Sequence, residues 1–137
     1  MEDINLSKFP ALNLVVHHTR ALKNGYWLEA IVLAHVYLET QLRMILEFDD
    51  FRKGRKTKPE EKVIALAQQA YKTEIINEAL YGKIKKFNTA RNDAVHNLTI
   101  GQISYEDLEP MAMESDSLIN DLKPFEMAVR SRRNYPD

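Results

Sequence analysis

The residues best suited to chemistry lie in one short run, Arg91-Asn92-Asp93-Ala94-Val95-His96, near the end of a long predicted helix. Arg91 carries a permanent charge with five donors in a fixed geometry. A histidine such as His96 can take up or release a proton near neutral pH. The run thus combines an anion-binding group with a proton carrier, and its use depends on whether the fold brings the two together.

Arg91 breaks the hydrophobic pattern of its own helix. Apolar side chains recur along this segment at spacings of four and three residues, at Leu80, Ile84, Phe87, Ala94 and Leu98. Arg91 occupies the position where this repeat predicts another apolar residue. A guanidinium on a packing surface needs a partner or a water-filled cleft, because burying an unpaired charge is costly. Arg91 is therefore the main anomaly of the sequence.

Helical spacing alone does not bring Arg91 and His96 together. Asn88, Asn92 and His96 follow one another at intervals of four, so they form a polar line along one side of the helix. Arg91 and His96 are five apart, and their directions differ by roughly 140°. Either the long Arg91 side chain sweeps round, or a second copy of the helix across a two-fold axis completes the site. The second solution predicts a homodimer.

A structural explanation of the same residues stands beside the functional one. Arg91 and His96 lie near the C-terminal end of their predicted helix. Positive side chains are favoured there by the negative end of the helix dipole. Asp93 would then be an ordinary surface charge. Spacing leaves both explanations open.

The other histidines offer weaker candidate sites. His17 and His18 are adjacent, so they point in different directions from a helix and are poorly placed to share a metal. His35 and Glu39 are four apart and can pair as a base and its orienting group, although a structural hydrogen bond is the commoner role. The chain has no Cys, no zinc-ligand set and no nucleotide-binding glycine loop. No metal and no cofactor are predicted.

Positive charge is segregated along the chain, although the formal net charge is only -1. Five cations crowd one predicted loop, at Arg52, Lys53, Arg55, Lys56 and Lys58. Others share the helix of Arg91, at Lys83, Lys85 and Lys86. Such runs are usually solvated surface, and a phosphate-binding face is the alternative.

The composition indicates one intracellular domain. With 137 residues and no Cys, we predict a single unit, 1–137, with an ordered bundle at 9–130 and a tail at 131–137. The first eight residues are polar and lack the apolar stretch of a secretion signal. No run approaches the roughly 20 apolar residues of a membrane span. A cytoplasmic protein without membrane contact is expected.

Apolar spacing predicts helices throughout and no strand. The expected class is an all-α, up-and-down bundle of four to five helices. Helix ends are predicted from capping and stop signals. The predicted segments are Pro10 to Asn24-Gly25, Tyr26 to Phe48, a third helix that starts with the Thr57/Glu60 capping box and ends at Tyr71 or Lys72, Glu74 to Asn97, and a last helix that begins near Ser104 and is kinked at Pro124.

Two parts of the sequence together resemble the HEPN superfamily of helical domains. The first is the stripe Glu29-Ala30-Ile31-Val32-Leu33-Ala34 with Leu38-Glu39 and Leu42. The second is Lys85-Lys86-Phe87-Asn88 leading into Arg91-Asn92 and His96-Asn97-Leu98. An Arg-Asn pair followed by three residues and His, late on a long penultimate helix, is the defining motif of that family. The resemblance covers the chain from about Tyr26 to Leu122.

The resemblance implies a HEPN-like bundle that dimerises through the motif helices and cleaves RNA without a metal. Arg91, Asn92 and His96 are then the catalytic residues: His96 moves a proton, Arg91 stabilises charge on the phosphoryl oxygens, and Asn92 orients one of them. RNA-binding residues are expected at Arg52, Lys53, Arg55, Lys56 and Lys86.

A toxin or defence role, with an antitoxin as partner, is also implied by the family. One departure bears on it, because Leu98 stands where toxins silenced by a nucleotidyltransferase antitoxin often carry Tyr. Two other functions stay open. One is a non-catalytic HEPN-like module that binds a nucleotide or RNA, and the other is a helical protein-interaction domain in which Arg91 pairs with an acid such as Glu39.

Overall fold

A computed structural model describes residues 10–54 and 62–134, and it confirms the predicted all-α class. These ranges contain the helices α1 (Pro10–Lys23), α2 (Trp27–Arg52), α3 (Val63–Lys72), α4 (Glu78–Thr99) and α5 (Glu109–Asn134). A 3-10 turn, Tyr105–Leu108, leads into α5, and no strand occurs in the described ranges. None of the helices described is both long enough and apolar enough to cross a membrane.

The central helix of the bundle is α2, which packs against α1, α3 and α5. An apolar stripe along this helix is buried, with exposures of at most 1% at Ile31, Ala34, Leu38, Leu42 and Ile45. Full burial of one such large aliphatic side chain contributes about 1.5–3 kcal/mol relative to exposure. This stripe therefore anchors α2, and α4 packs mainly against α3 and α5.

The turn from α1 to α2 confirms the predicted stop signal. Gly25 has a positive φ of 73°, which glycine adopts without strain. The Tyr26 N–H donates to the Ala21 carbonyl at 2.9 Å, which closes the end of α1. At the start of α2 the Leu28 N–H donates to the Tyr105 hydroxyl at 3.3 Å, and that hydroxyl donates to Glu29 Oε2 at 2.7 Å. The segment before α5 is thereby tied to the start of α2.

Two polar clusters in the core join α5 to other helices. Buried His18 of α1 bonds the Ser115 hydroxyl of α5 through Nε2, at 2.8 Å. Buried Glu126 accepts hydrogen bonds from the Tyr37 hydroxyl at 2.8 Å and from Gln41 Nε2 at 3.0 Å. Buried polar groups are tolerated when they are hydrogen-bonded, so these contacts fix the position of α5 against α1 and α2.

The predicted start of the fourth helix at Glu74 is wrong. Glu74 has a φ of 63°, a left-handed backbone that cannot continue a right-handed helix. The helix begins instead at Glu78, after Asn77 accepts a hydrogen bond from the Leu80 N–H at 2.9 Å. Asn77 is therefore the N-cap, a role for which asparagine is well suited.

Three other boundaries differ from the predicted ones or cannot be compared. Helix α2 continues past Phe48 to Arg52. Helix α5 includes Pro124 and runs to Asn134, so residues 131–134, predicted as part of a tail, are helical. The predicted capping box of Thr57 and Glu60 lies outside the described residues.

Candidate functional site

The C-terminal half of α4 is less covered than its first half. Leu80, Ile84 and Phe87 are buried in the core, as the repeat predicts. Ala94 and Leu98, further along the same repeat, are only half-buried. Arg91 lies between these two parts and is itself half-buried. The position that breaks the apolar pattern is therefore at the edge of the core, where a charged group can reach solvent.

The Arg91 side chain turns along its own helix toward Asn92. Its Nη2 donates a hydrogen bond to Asn92 Oδ1 at 2.9 Å. Its Nε is buried and has no hydrogen-bond acceptor in the described part of the chain. Leaving such a donor without a partner costs about 1–3 kcal/mol, so the site is suited to an anion that brings oxygen acceptors.

His35 of α2 faces this part of α4. Its ring lies within hydrogen-bonding reach of the Asn88 side chain and within electrostatic range of Arg91. Burial, and then the Arg91 charge, lower the pKa of His35, while the Glu39 charge and the Asn88 hydrogen bond act in the opposite direction. His35 is therefore neutral at pH 7 and does not add a second positive charge beside Arg91. We call His35, Glu39, Asn88, Arg91 and Asn92 the α2–α4 cluster.

Glu39 is not the partner of Arg91. Its Oε1 lies 3.1 Å from Arg43 Nη2, one turn further along α2. Arg91 forms no ion pair with any residue in the described ranges. The alternative in which Glu39 neutralises Arg91 is thus not realised, and the guanidinium keeps its capacity to bind a further anion.

His96 lies on the exposed face of α4, one turn beyond Asn92. Its ring makes no hydrogen bond within the described residues, and its backbone carbonyl accepts a hydrogen bond from the Ile100 N–H at 3.1 Å. Because residues four apart stack on one helix side, the sweep of Arg91 toward Asn92 moves the guanidinium to the side of His96. The Arg91 side chain thus bends part of the way round the helix toward the side of His96, which is the first of the two arrangements expected from the sequence.

The structure separates the predicted RNA-binding residues. Arg52 Nη2 and Lys53 Nζ lie 3.5 and 3.0 Å from the carboxylate of Asp49, which is buried. Arg52 also lies 17 residues from His35 on the same helix, about 25 Å at 1.5 Å per residue. Arg55 and Lys56 lie outside the described residues. Of the five, Lys86 alone is both described and on the helix of Arg91, where it is exposed.

Three exposed valines lie close to members of the α2–α4 cluster along the chain. Val32 and Val36, one turn apart on α2, are 43% and 39% exposed, and Val95 on α4 is 36% exposed. Val36 directly follows His35 in the chain, and Val95 directly precedes His96. We call Val32, Val36 and Val95 the valine surface. It offers apolar area for a partner next to the polar groups.

The sequence singled out all five members of the cluster but not the contacts between the two helices. Spacing along α2 predicted that His35 and Glu39 are neighbours, and the Glu39 charge does act on the His35 ring, but the Asn88 side chain reaches this ring from the other helix. The signal for Asn88 was its place on the line with Asn92 and His96. Within the described residues, no group of three or more His, Asp and Glu side chains is arranged to hold a metal ion.

Comparisons of this chain with models of protein families, with curated proteins and with solved structures find no match. Its function must therefore be inferred from the groups that the fold assembles.

Proposed function

We propose that this chain is a metal-independent endoribonuclease of the HEPN type, which acts as a homodimer. The observation that carries the proposal is the state of Arg91: its Nη2 bonds only the neutral side chain of Asn92, and its buried Nε lacks an acceptor. A guanidinium held at the edge of a core without a carboxylate is prepared for an anion. In the HEPN interpretation that anion is the scissile phosphate.

The second support is the position of His96 relative to this guanidinium. The His96 ring is exposed and makes no hydrogen bond in the described part of the chain, so a substrate can reach both ring nitrogens. Asn92 lies between the two, bonded to Arg91 and one helical turn before His96. A phosphate bound by Arg91 and Asn92 would thus lie on the side of α4 that carries the imidazole.

The proposed reaction uses the 2′-hydroxyl of RNA as the nucleophile. A histidine takes the proton from this hydroxyl as its oxygen attacks the adjacent phosphorus, and the bond from phosphorus to the 5′-oxygen breaks. The leaving 5′-oxygen receives a proton, so the products carry a 2′,3′-cyclic phosphate and a 5′-hydroxyl. Arg91 stabilises the negative charge that grows on the other phosphoryl oxygens. DNA lacks the nucleophile and is not cut.

One protomer supplies a single His96, whereas the reaction needs one group that accepts a proton and one that donates it. A two-fold axis through the valine surface would bring the His96 of a second copy to the same cleft, so that the two rings share these roles. Val32, Val36 and Val95 contribute apolar area to such an interface. The homodimer is in this way part of the mechanism.

The experiment that tests the proposal is cleavage of labelled mixed-sequence RNA by the purified protein in excess EDTA. Arg91→Ala and His96→Ala are compared with Arg20→Ala and His17→Ala, which change the same residue types at exposed positions on α1. We expect cyclic-phosphate ends from the native protein and from both controls. Loss of the imidazole should lower the rate about 10²- to 10⁴-fold. Loss of the guanidinium should cost about 10²- to 10³-fold, as for other transition-state donors.

Two results would contradict the proposal. Equal cleavage by all the variants would show that the RNA is cut elsewhere or by a contaminant. No cleavage by any version, with RNA or a nucleotide still bound in an Arg91-dependent manner, would identify the non-catalytic binding module instead.

A further inference from the structure

Two tyrosines, one exposed and one half-buried, stack at the start of α4. The rings of Tyr71, near the end of α3, and Tyr81, in α4, have centroids 5.0 Å apart and planes inclined by 15°. Lys85 Nζ lies 5.3 Å from the centroid of the Tyr81 ring. Tyr71 is 37% exposed, so part of its ring surface remains open to solvent. Flat, open aromatic surface beside a cation is typical of proteins that bind single-stranded nucleic acid.

A groove opens beside this stack. Tyr71 lines it together with Glu74, Ile76 and Asn77 from the connection between α3 and α4, and with Phe125 from α5. Its volume is about 480 Å³, within the range of sites that accept small ligands. Most of the lining is apolar, and the one carboxylate that lines it, Glu74, would repel a phosphate. The groove therefore suits a flat uncharged group such as a nucleobase.

A line of side chains connects the stack with the proposed catalytic residues. Tyr81, Lys85, Thr89, Asn92 and His96 follow at intervals of four, four, three and four residues, so they share one side of α4. Over this length α4 advances about 22 Å at 1.5 Å per residue, the span of a few nucleotides of an extended strand. Lys85 and Thr89 also line a shallow depression with two exposed charged residues, Lys86 and Asp93, and the two lysines outnumber the one carboxylate. The line thus offers positive charge to a phosphate backbone along its middle.

We propose that the groove beside Tyr71 binds a nucleobase of single-stranded RNA, a few nucleotides from the bond that is cut. The base stacks on the open side of Tyr71, and the backbone passes Lys85 on its way to Asn92 and His96. This inference rests on the proposed ribonuclease function, because it names a subsite for the same substrate. It also explains why the protein would prefer single-stranded RNA, since a base must leave its pair in order to stack on Tyr71.

The test measures binding of a short 2′-O-methyl RNA, which lacks the attacking hydroxyl, by fluorescence anisotropy. The native protein is compared with Tyr71→Leu, which keeps an apolar side chain over Tyr81, and with Tyr71→Phe, which keeps the flat ring. Tyr26→Leu is the matched control, because Tyr26 is an exposed tyrosine at the start of α2, 56% exposed. Circular dichroism and thermal unfolding establish that each variant is folded.

We expect Tyr71→Leu to weaken binding about 5- to 100-fold, in keeping with the loss of one stacked base. Tyr71→Phe and Tyr26→Leu should bind like the native protein. A set of oligonucleotides that each lack one base then locates the partner of Tyr71. At one position, removal of the base should weaken binding to the native protein but have no further effect on Tyr71→Leu, because the two changes remove the same contact.

Failure of this inference can be told apart from failure of the proposed function. If the native protein cuts RNA but Tyr71→Leu binds every oligonucleotide as tightly as the native protein, the base subsite is wrong and the ribonuclease stands. If the native protein neither binds nor cuts RNA, both proposals are wrong. Lys85→Gln provides an independent check on the strand path, because loss of one phosphate contact should reduce the salt dependence of binding by about one unit of slope.

Discussion

The guanidinium of Arg91 and the amide of Asn92 are joined along one helix by a hydrogen bond of 2.9 Å. This contact bends the longer side chain away from the apolar face on which its backbone position lies and toward the polar side of α4. The rest of the α2–α4 cluster accommodates the charge without neutralising it, since His35 has a lowered pKa and Glu39 is engaged by Arg43. The folded chain thus retains a cation at a place where stability favours an apolar side chain.

The first prediction follows from this conflict. Replacing Arg91 with Leu completes the apolar repeat of α4 and removes a buried donor without an acceptor. We expect the free energy of unfolding to rise by about 1–3 kcal/mol, and cleavage to slow about 10²- to 10³-fold, as for Arg91→Ala. Urea unfolding at fixed protein concentration measures the first effect. Arg20→Leu, at an exposed position of α1, should change stability by at most about 0.5 kcal/mol. A less stable Arg91→Leu protein would mean that the guanidinium holds the fold together.

The second prediction concerns the valine surface. Val36→Asp places a charge in the middle of the proposed two-fold interface, where it would be desolvated without a partner. We expect a folded monomer by light scattering and loss of RNA cleavage. Met127→Asp, at a residue of α5 that is 67% exposed, is the control and should leave the dimer and its activity intact. Persistence of a Val36→Asp dimer would place the interface elsewhere.

The third prediction is a loss of stability in acid. Burial lowers the pKa of His18 below its usual 6.5, outweighing the opposing charge of Asp116. The unfolded chain therefore binds the proton more readily than the folded one. The stability that depends on neutral His18 is complete above about pH 6.5. It falls as the pH drops below that value and levels off below the pKa of His18 in the folded protein. His35, whose pKa is also lowered, adds to the effect in the same direction.

The role of His18 can be measured separately. Urea midpoints between pH 7.5 and 5 should fall less steeply for His18→Gln than for the native protein, because glutamine does not titrate and can still bond Ser115. Equal slopes for the two proteins would assign the acid sensitivity to other groups.

The fourth prediction tests the backbone at Glu74. Its φ of 63° strains a residue with a side chain but suits glycine. Glu74→Gly should stabilise the fold by about 1 kcal/mol, measured by thermal or urea unfolding. Glu74→Ala keeps the strained backbone while removing the carboxylate, so its stability should stay close to that of the native protein. Equal stabilisation by both variants would trace the effect to the side chain rather than the backbone.

Most helices of this fold could be predicted from the sequence, because the apolar face of a helix and the signals that end it are local properties. Apolar spacing predicted α2, whose side chains from Ile31 to Ile45 are buried along one face, and Asn24-Gly25 marked the end of α1. The start of α4 could not be predicted in the same way. The chain turns at Glu74 through a left-handed backbone, which glutamate seldom adopts, and the helix begins only after the N-cap Asn77. Local pattern therefore located the helices but not each of their ends.

The sequence by itself determined that Arg91 interrupts an apolar repeat and that Asn88, Asn92 and His96 share one side of a helix. Both facts follow from a period of 3.6 residues, which holds whatever surrounds the helix. Only the tertiary structure decided what surrounds it. It brought Asn88, more than 50 residues further along the chain, close to His35, and it left Glu39 paired with Arg43 rather than with Arg91. Periodicity specifies the direction in which a side chain points, whereas the groups it meets depend on how the helices pack.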